Sequence, residues 1–323
     1  MREQEIKKLP ELVQDYLTYV RVNKGHSRLT VLEYASDLRT FFRFLYISRG
    51  FVSANAKEEE IDISGIDLDF IKSISLRDAT QFLYYCANER SNNEATRAKK
   101  VISIRRFFVY LTDNRQLFKD NPMRALELPK TKKALPKYLT LEESKMLLNA
   151  VDGPNKERDY CIIMLFLNCG FRLSELVSIN YNAIDANNML TVLGKGNKER
   201  QIFLNDACMS AIRRYMAVRP VDGVKDKNAL FLSSRGQRIS PKTVQYIVHS
   251  YLEKAGLGGR GLSVHKLRHT AATLMYQNAD ADLLVLKEIL GHENLATTEI
   301  YTHLSSQQIK DTLKKNPLND SKE

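Results

Sequence analysis

The chain has 323 residues, 43% of them apolar, enough to fill the cores of two domains of ordinary size. Lysine and arginine number 49 against 38 aspartates and glutamates, and the resulting net charge of +11 favours a polyanionic partner, nucleic acid first. The charged start MREQEIKKLPEL is not a signal peptide, no apolar run is long enough to span a bilayer, and Cys86, Cys161, Cys169 and Cys208 form neither a C-x-x-C pair nor a metal-ligand spacing, so a secreted disulfide scaffold, a zinc module and a membrane protein are excluded and a cytoplasmic location is expected.

Residues 10–115 read as helices. Leu12, Val13, Tyr16, Leu17 and Val20 keep the helical spacing, and Gly25 stands where that helix would end. Ser27 can cap a second helix carrying Leu38, Phe41, Phe42 and Leu45. SLRD at 75–78 has the spacing of a capping box that opens a third. In the fourth, EATRAKKVISIRRFFVYL, the apolar face is Val101, Ile104, Phe107, Phe108 and Leu111. Arg97, Lys99, Lys100, Arg105 and Arg106 occupy its other side, suitably placed for a phosphate backbone, and Lys99, Lys100 and Arg105 are expected DNA contacts together with Lys242 further on. The acidic stretch near residues 52–70, SANAKEEEIDISGIDLDF, is a poor neighbour for a polyanion and reads as a loop or small insertion facing away from one.

A lysine-rich segment with three prolines, KDNPMRALELPKTKKALPKYL, marks a linker. The expected organisation is a helical domain over 1–118, a linker over 119–137 and a second domain over 138–323 that TLEE at 140–143 opens with another capping box. Helices dominate the second domain, and MLTVLGKGNKERQIFL reads as strand, Gly-rich turn, strand. The fold class is therefore mainly α with a small β-sheet, an α+β chain.

The chemistry-bearing residues come in order. Arg172 in NCGFRLSELVSI lies between a buried helix that ends at Gly170 and a new helix from about Ser174. The hairpin tip offers Lys195 and Lys198, but GKGNK lacks the spacing of a nucleotide-binding P-loop and precedes a strand, which excludes an ATP site. In HKLRHTAATLM, His265 and Arg268 are three apart and share a helix face that Ser263 can cap, with Leu267, Ala271, Leu274 and Met275 on the opposite side. His292 follows Gly291 at the end of DLLVLKEIL, and Tyr301 lies nine residues further on. Together these groups suit one reaction on a phosphodiester. Two guanidiniums can clamp the non-bridging oxygens, each donor contributing typically about 3 kcal/mol to the transition state. A tyrosine can attack phosphorus while a lysine or histidine protonates the departing oxygen. The arginines supply the charge that a metal would otherwise bring, so no metal and no cofactor is expected.

GFRLSEL, GKGNKER, HKLRHTAATLM and LGHENLATTEIYTHL resemble the motifs of the tyrosine recombinases, the phage-integrase family, and are most similar to the Xer type. The resemblance covers both domains and implies a helical core-binding domain followed by a catalytic domain. It implies Arg172 and Arg268 as the phosphate clamp, Tyr301 as nucleophile, Lys195 as general acid to the leaving 5′-oxygen, His265 as an aid to proton transfer and His292 as a hydrogen-bond donor to the scissile phosphate. His269 belongs to the motif in a supporting place. The implied activity is site-specific recombination through a 3′-phosphotyrosine and a Holliday junction, serving chromosome dimer resolution or mobile-element integration and excision. The implied partners are double-stranded DNA with paired inverted-repeat half-sites and a homo-tetramer on two sites, with or without a partner recombinase or DNA translocase, and no membrane. In the tail after Tyr301, Ser305 and Gln308 have capping-box spacing and Ile309 and Leu313 share a helix face, an element the resemblance implies is exchanged between protomers. A type IB topoisomerase shares this chemistry. A non-catalytic DNA-binding protein on a decayed scaffold is disfavoured, because all six positions hold competent residues.

Overall fold

Apolar residues at helical spacing close two separate cores, one in each half of the chain. The computed structural model describes residues 3–53, 55–130, 137–193, 199–278 and 283–291. It divides into two compact units, Met1–Lys133 and Ala134–Glu323.

The first unit is built from α1 (Glu3–Ile6), α2 (Glu11–Val22), α3 (Arg28–Ser48), α4 (Leu68–Lys72), α5 (Leu76–Asn88) and α6 (Glu94–Val109). The face of α2 that turns inward is Val13, Tyr16, Leu17 and Val20. The chain then reverses, with the His26 amide donating to the Val20 carbonyl, and α3 starts from Ser27, whose hydroxyl accepts from the Thr30 amide at 3.2 Å. At the start of α5, Ser75 and Asp78 make both bonds of a capping box. Helix α6 buries Val101, Ile104, Phe107 and Phe108, and passes into one π turn over Tyr110–Asn114 that buries Leu111. Edge-to-face pairs of Phe41 with Phe82 and of Phe42 with Phe107 join α3 to α5 and α6. Met123 and Leu126 are buried in this same core.

One expectation needs correction here. Lys100 does not lie on the exposed side of α6: it is 7% exposed, and its ammonium donates to Asp37 Oδ1 at 3.1 Å, while Ser103 donates to Asp37 Oδ2 at 2.7 Å. It precedes Ile104 by four residues and Phe107 by seven, and that spacing puts it on the same, buried face of the helix. Lys99 is exposed and Arg105 half-buried. The acidic stretch is largely loop up to Asp67, as expected, with one 3₁₀ turn over Glu58–Glu60. Within it Ile61, Ile63 and Ile66 enter the core, because the apolar residues alternate with the carboxylates and leave the charges outside.

The second unit runs α7 (Leu141–Asn149), α8 (Lys156–Cys169), α9 (Leu173–Ser178), β1 (Met189–Leu193), β2 (Glu199–Phe203), α10 (Asp206–Val218), α11 (Pro241–Lys254), α12 (Val264–Asn278) and α13 (Leu283–Leu290). Thr140 and Glu143 form the capping box at the start of α7. Helix α8 is apolar nearly all round and so serves as the central rod, with α7, α10, α11 and α12 packed on it. Strands β1 and β2 pair antiparallel, with Val192 opposite Arg200 and Leu190 opposite Ile202. Among the described residues the architecture is mainly helical with one two-stranded sheet, as the periodicities predict. Among the described residues no helix is long and apolar enough to cross a membrane.

Candidate active site

The site begins where α8 stops. Gly170 caps that helix in the left-handed conformation at φ 60°, and a Cβ there would stand 2.8 Å from Leu290 Cδ2, so the position favours glycine on both counts. Phe171 next to it is fully buried and fixes the direction of the chain. Arg172 follows as the N-cap residue of α9 with extended backbone. Three residues on, Glu175 reaches back and accepts from the Arg172 amide at 2.8 Å and from Arg172 Nη1 at 2.7 Å. Arg172 Nη2 donates to the Gly291 carbonyl at 2.7 Å.

Helix α12 supplies the second arginine. The Ser263 carbonyl accepts from the Lys266 and Leu267 amides, which starts the helix, and Leu267 and Ala271 are fully buried. Arg268, only 3% exposed, donates from Nη1 to the Gly170 carbonyl at 2.7 Å and from Nη2 to the Leu290 carbonyl at 2.5 Å. Arg268 thus holds the end of α8. His265 lies one turn before Arg268 at the open end, and the buried His269 ring meets it edge-on at 4.6 Å. Partial burial, then the charges of Lys266, Arg268 and Arg172, hold the His265 imidazole below its ordinary value of 6.5. The shift favours the uncharged ring, which is able to accept a proton.

Sequence reasoning missed two members of this cluster, Glu175 and Arg200. Arg200 on β2 donates from Nη2 to Glu175 Oε2 at 2.8 Å and from Nη1 to the Ile289 carbonyl. The three successive carbonyls at 289, 290 and 291 are therefore each taken by a different guanidinium, at the negative end of the α13 dipole. Glu175, 1% exposed, sits between these cations, with Arg268 Nη1 at 3.9 Å as well. Burial pushes its carboxyl up, but the Arg172 amide and the Arg200 and Arg172 guanidiniums outweigh that and hold it below the ordinary value of 4.5. The spacing of Arg172 and Glu175 in GFRLSEL, three apart at a helix start, was the available signal for the carboxylate.

Arg172, His265 and Arg268 line one cleft of about 740 Å³, which Ser174, Gln245 and His249 also border. Lys242 is exposed at the start of α11, beside Pro241 on the rim of that cleft. Three guanidiniums around a single carboxylate leave an excess of positive charge next to the open cleft, which suits an anion with several oxygens. Lys195, Lys198, His292, Tyr301 and the tail with Ser305, Gln308, Ile309 and Leu313 lie outside the described residues.

Residues 137–308 match the phage integrase family, and residues 13–63 match the phage integrase N-terminal SAM-like domain. The chain belongs to the phage integrase family of tyrosine recombinases. This integrase is 52% identical to the tyrosine recombinase XerC of Caldanaerobacter subterraneus subsp. tengcongensis over 97% of its own length and 89% of the relative's. It is 33% identical to XerC of Thermodesulfovibrio yellowstonii over 92% and 93% of the two chains. Among solved structures, its fold is similar to XerH site-specific recombinase bound to palindromic difH substrate, with a TM-score of 0.70 at 22% identity over 90% and 81% of the two chains. The Tn1549 transposon integrase in complex with transposon right end DNA gives 0.72 at 19% identity over 94% and 98%.

Proposed function

We propose that this integrase is a Xer-type site-specific recombinase that cuts and rejoins double-stranded DNA at paired inverted-repeat half-sites. The observation that carries the reading is the convergence of Arg172, His265 and Arg268, from two distant stretches of sequence, on one cationic cleft. Arg172 and Arg268 bind the non-bridging oxygens of the scissile phosphate, and their charge stabilises the pentavalent transition state without a metal. The Tyr301 oxygen bonds to phosphorus as its proton leaves, with neutral His265 assisting that transfer. The bond from phosphorus to the 5′-oxygen breaks, and Lys195 protonates the leaving oxygen while His292 donates to the phosphate. The product is a 3′-phosphotyrosine. Attack by a 5′-hydroxyl of the partner duplex reverses the chemistry and yields a Holliday junction, so no ATP is consumed.

Four protomers on two sites, each tail exchanged with a neighbour, would couple the tyrosines so that two act at a time. Identity of 52% with a XerC favours recombination over relaxation of the topoisomerase IB kind, and chromosome dimer resolution over mobile-element integration. Exposed Lys99 and half-buried Arg105 on α6, with Lys242 on α11, are the proposed backbone contacts. The test is a suicide half-site substrate. Tyr301→Phe should bind it as the parent does and form no covalent adduct. Adducts that persist in this variant would move the nucleophile elsewhere, to Tyr276 first.

A further inference from the structure

Arg200 fills none of the six positions assigned above, yet its side chain touches more of the site than its strand position suggests. It stands five residues after Lys195, on the strand that leaves the hairpin turn. Period-two alternation turns Arg200 and Ile202 inward while Glu199, Gln201 and Phe203 face out. Its planar fork then spans two elements, Glu175 Oε2 on α9 and the Ile289 carbonyl on α13. Glu175 is the same carboxylate that holds Arg172, and a Cβ on Gly291 would stand 2.9 Å from Arg200 Cδ and 3.6 Å from Arg172 Nη1. The two guanidiniums close around one glycine, immediately before His292. A two-stranded hairpin is marginally stable by itself, and Arg200 ties strand β2 to α9 and α13.

We propose that Arg200 is a positioning residue that fastens the hairpin, and with it Lys195, to the phosphate clamp, so that leaving-group protonation depends on it. The proposal rests on Lys195 being the general acid. Lysine at 200 could answer the charge of Glu175 but has no second arm for Ile289, so Arg200→Lys should share the defect of Arg200→Ala.

The experiment uses the full chain on two suicide substrates, one with the ordinary bridging 5′-oxygen and one with sulfur there, which departs without a proton. Arg200→Ala and Arg200→Lys should bind DNA like the parent and cleave the oxygen substrate about a hundredfold more slowly, the loss expected of a misplaced general acid. On the sulfur substrate both should recover most of the rate. Slow cleavage of both substrates, or normal cleavage of both, overturns the proposal. If Arg200→Ala fails to fold, Arg200→Lys decides by the same criterion. Lys195→Ala separates the two layers. If sulfur rescues Lys195→Ala but neither Arg200 variant, the acid assignment stands and the Arg200 proposal alone fails. If sulfur does not rescue Lys195→Ala, the acid lies elsewhere and both fail.

Discussion

Replacing Glu175 by glutamine removes one negative charge from the centre of the arginine cluster with almost no change in volume. The carboxylate is 1% exposed and holds the Arg172 amide at 2.8 Å, Arg172 Nη1 at 2.7 Å and Arg200 Nη2 at 2.8 Å. Glutamine keeps one acceptor oxygen but turns an amide donor towards a guanidinium. Breaking a buried ion pair from one side costs about 3–5 kcal/mol, and the retained acceptor puts this change at the lower end, about 3 kcal/mol. For a unit of 150–250 residues that corresponds to a fall in Tm of roughly 6–12 °C. The pH dependence adds a second signature. The folded carboxyl is held below its ordinary 4.5, so its stabilising contribution is full above 4.5 and is lost as pH falls through the folded value. The gap between parent and Glu175→Gln, followed by circular dichroism melts from pH 7 downward, should therefore stay constant to about 4.5 and then narrow. A loss of less than about 3 °C at pH 7, or a gap that does not narrow in acid, would refute the reasoning.

Two further outcomes follow from the structure. The His265 imidazole, observed by NMR in the DNA-free protein, should titrate below 6.5, and because its folded value is depressed, stability should decline as pH falls from 6.5 towards that value; a midpoint above 6.5 that vanishes in His265→Gln would contradict this. Lys99→Ala should flatten the dependence of DNA binding on salt by about one counterion's worth, while Lys100→Ala should leave that slope unchanged and lower the melting temperature instead, since it strands Asp37; the reverse pattern would put Lys100 on the DNA.

Local rules made much of this chain legible in one dimension. Capping boxes at Ser75–Asp78 and Thr140–Glu143, the glycine stop at Gly170 and the hairpin around the Gly-rich turn all follow from interactions between residues a few positions apart. The facing of His265 and Arg268 towards one side of α12 follows from helical periodicity, with Leu267 on the opposite side in the core. What periodicity does not carry is which distant group each charge meets. Lys100 lies one turn before Ile104, and whether its ammonium reaches past that face to solvent or meets Asp37, 63 positions away in the chain, depends on how close α3 comes to α6. Glu175 reads as a helix-start carboxylate until Arg200 approaches from β2, and nothing near Arg172 in sequence announces the Gly291 carbonyl, 119 residues away, that takes its Nη2. The sequence by itself determined the elements, their apolar faces and the residue types fit for phosphodiester chemistry. The tertiary structure decided the arginine cluster, because an ion pair forms between groups that packing brings within about 4 Å, and no local interaction encodes that distance.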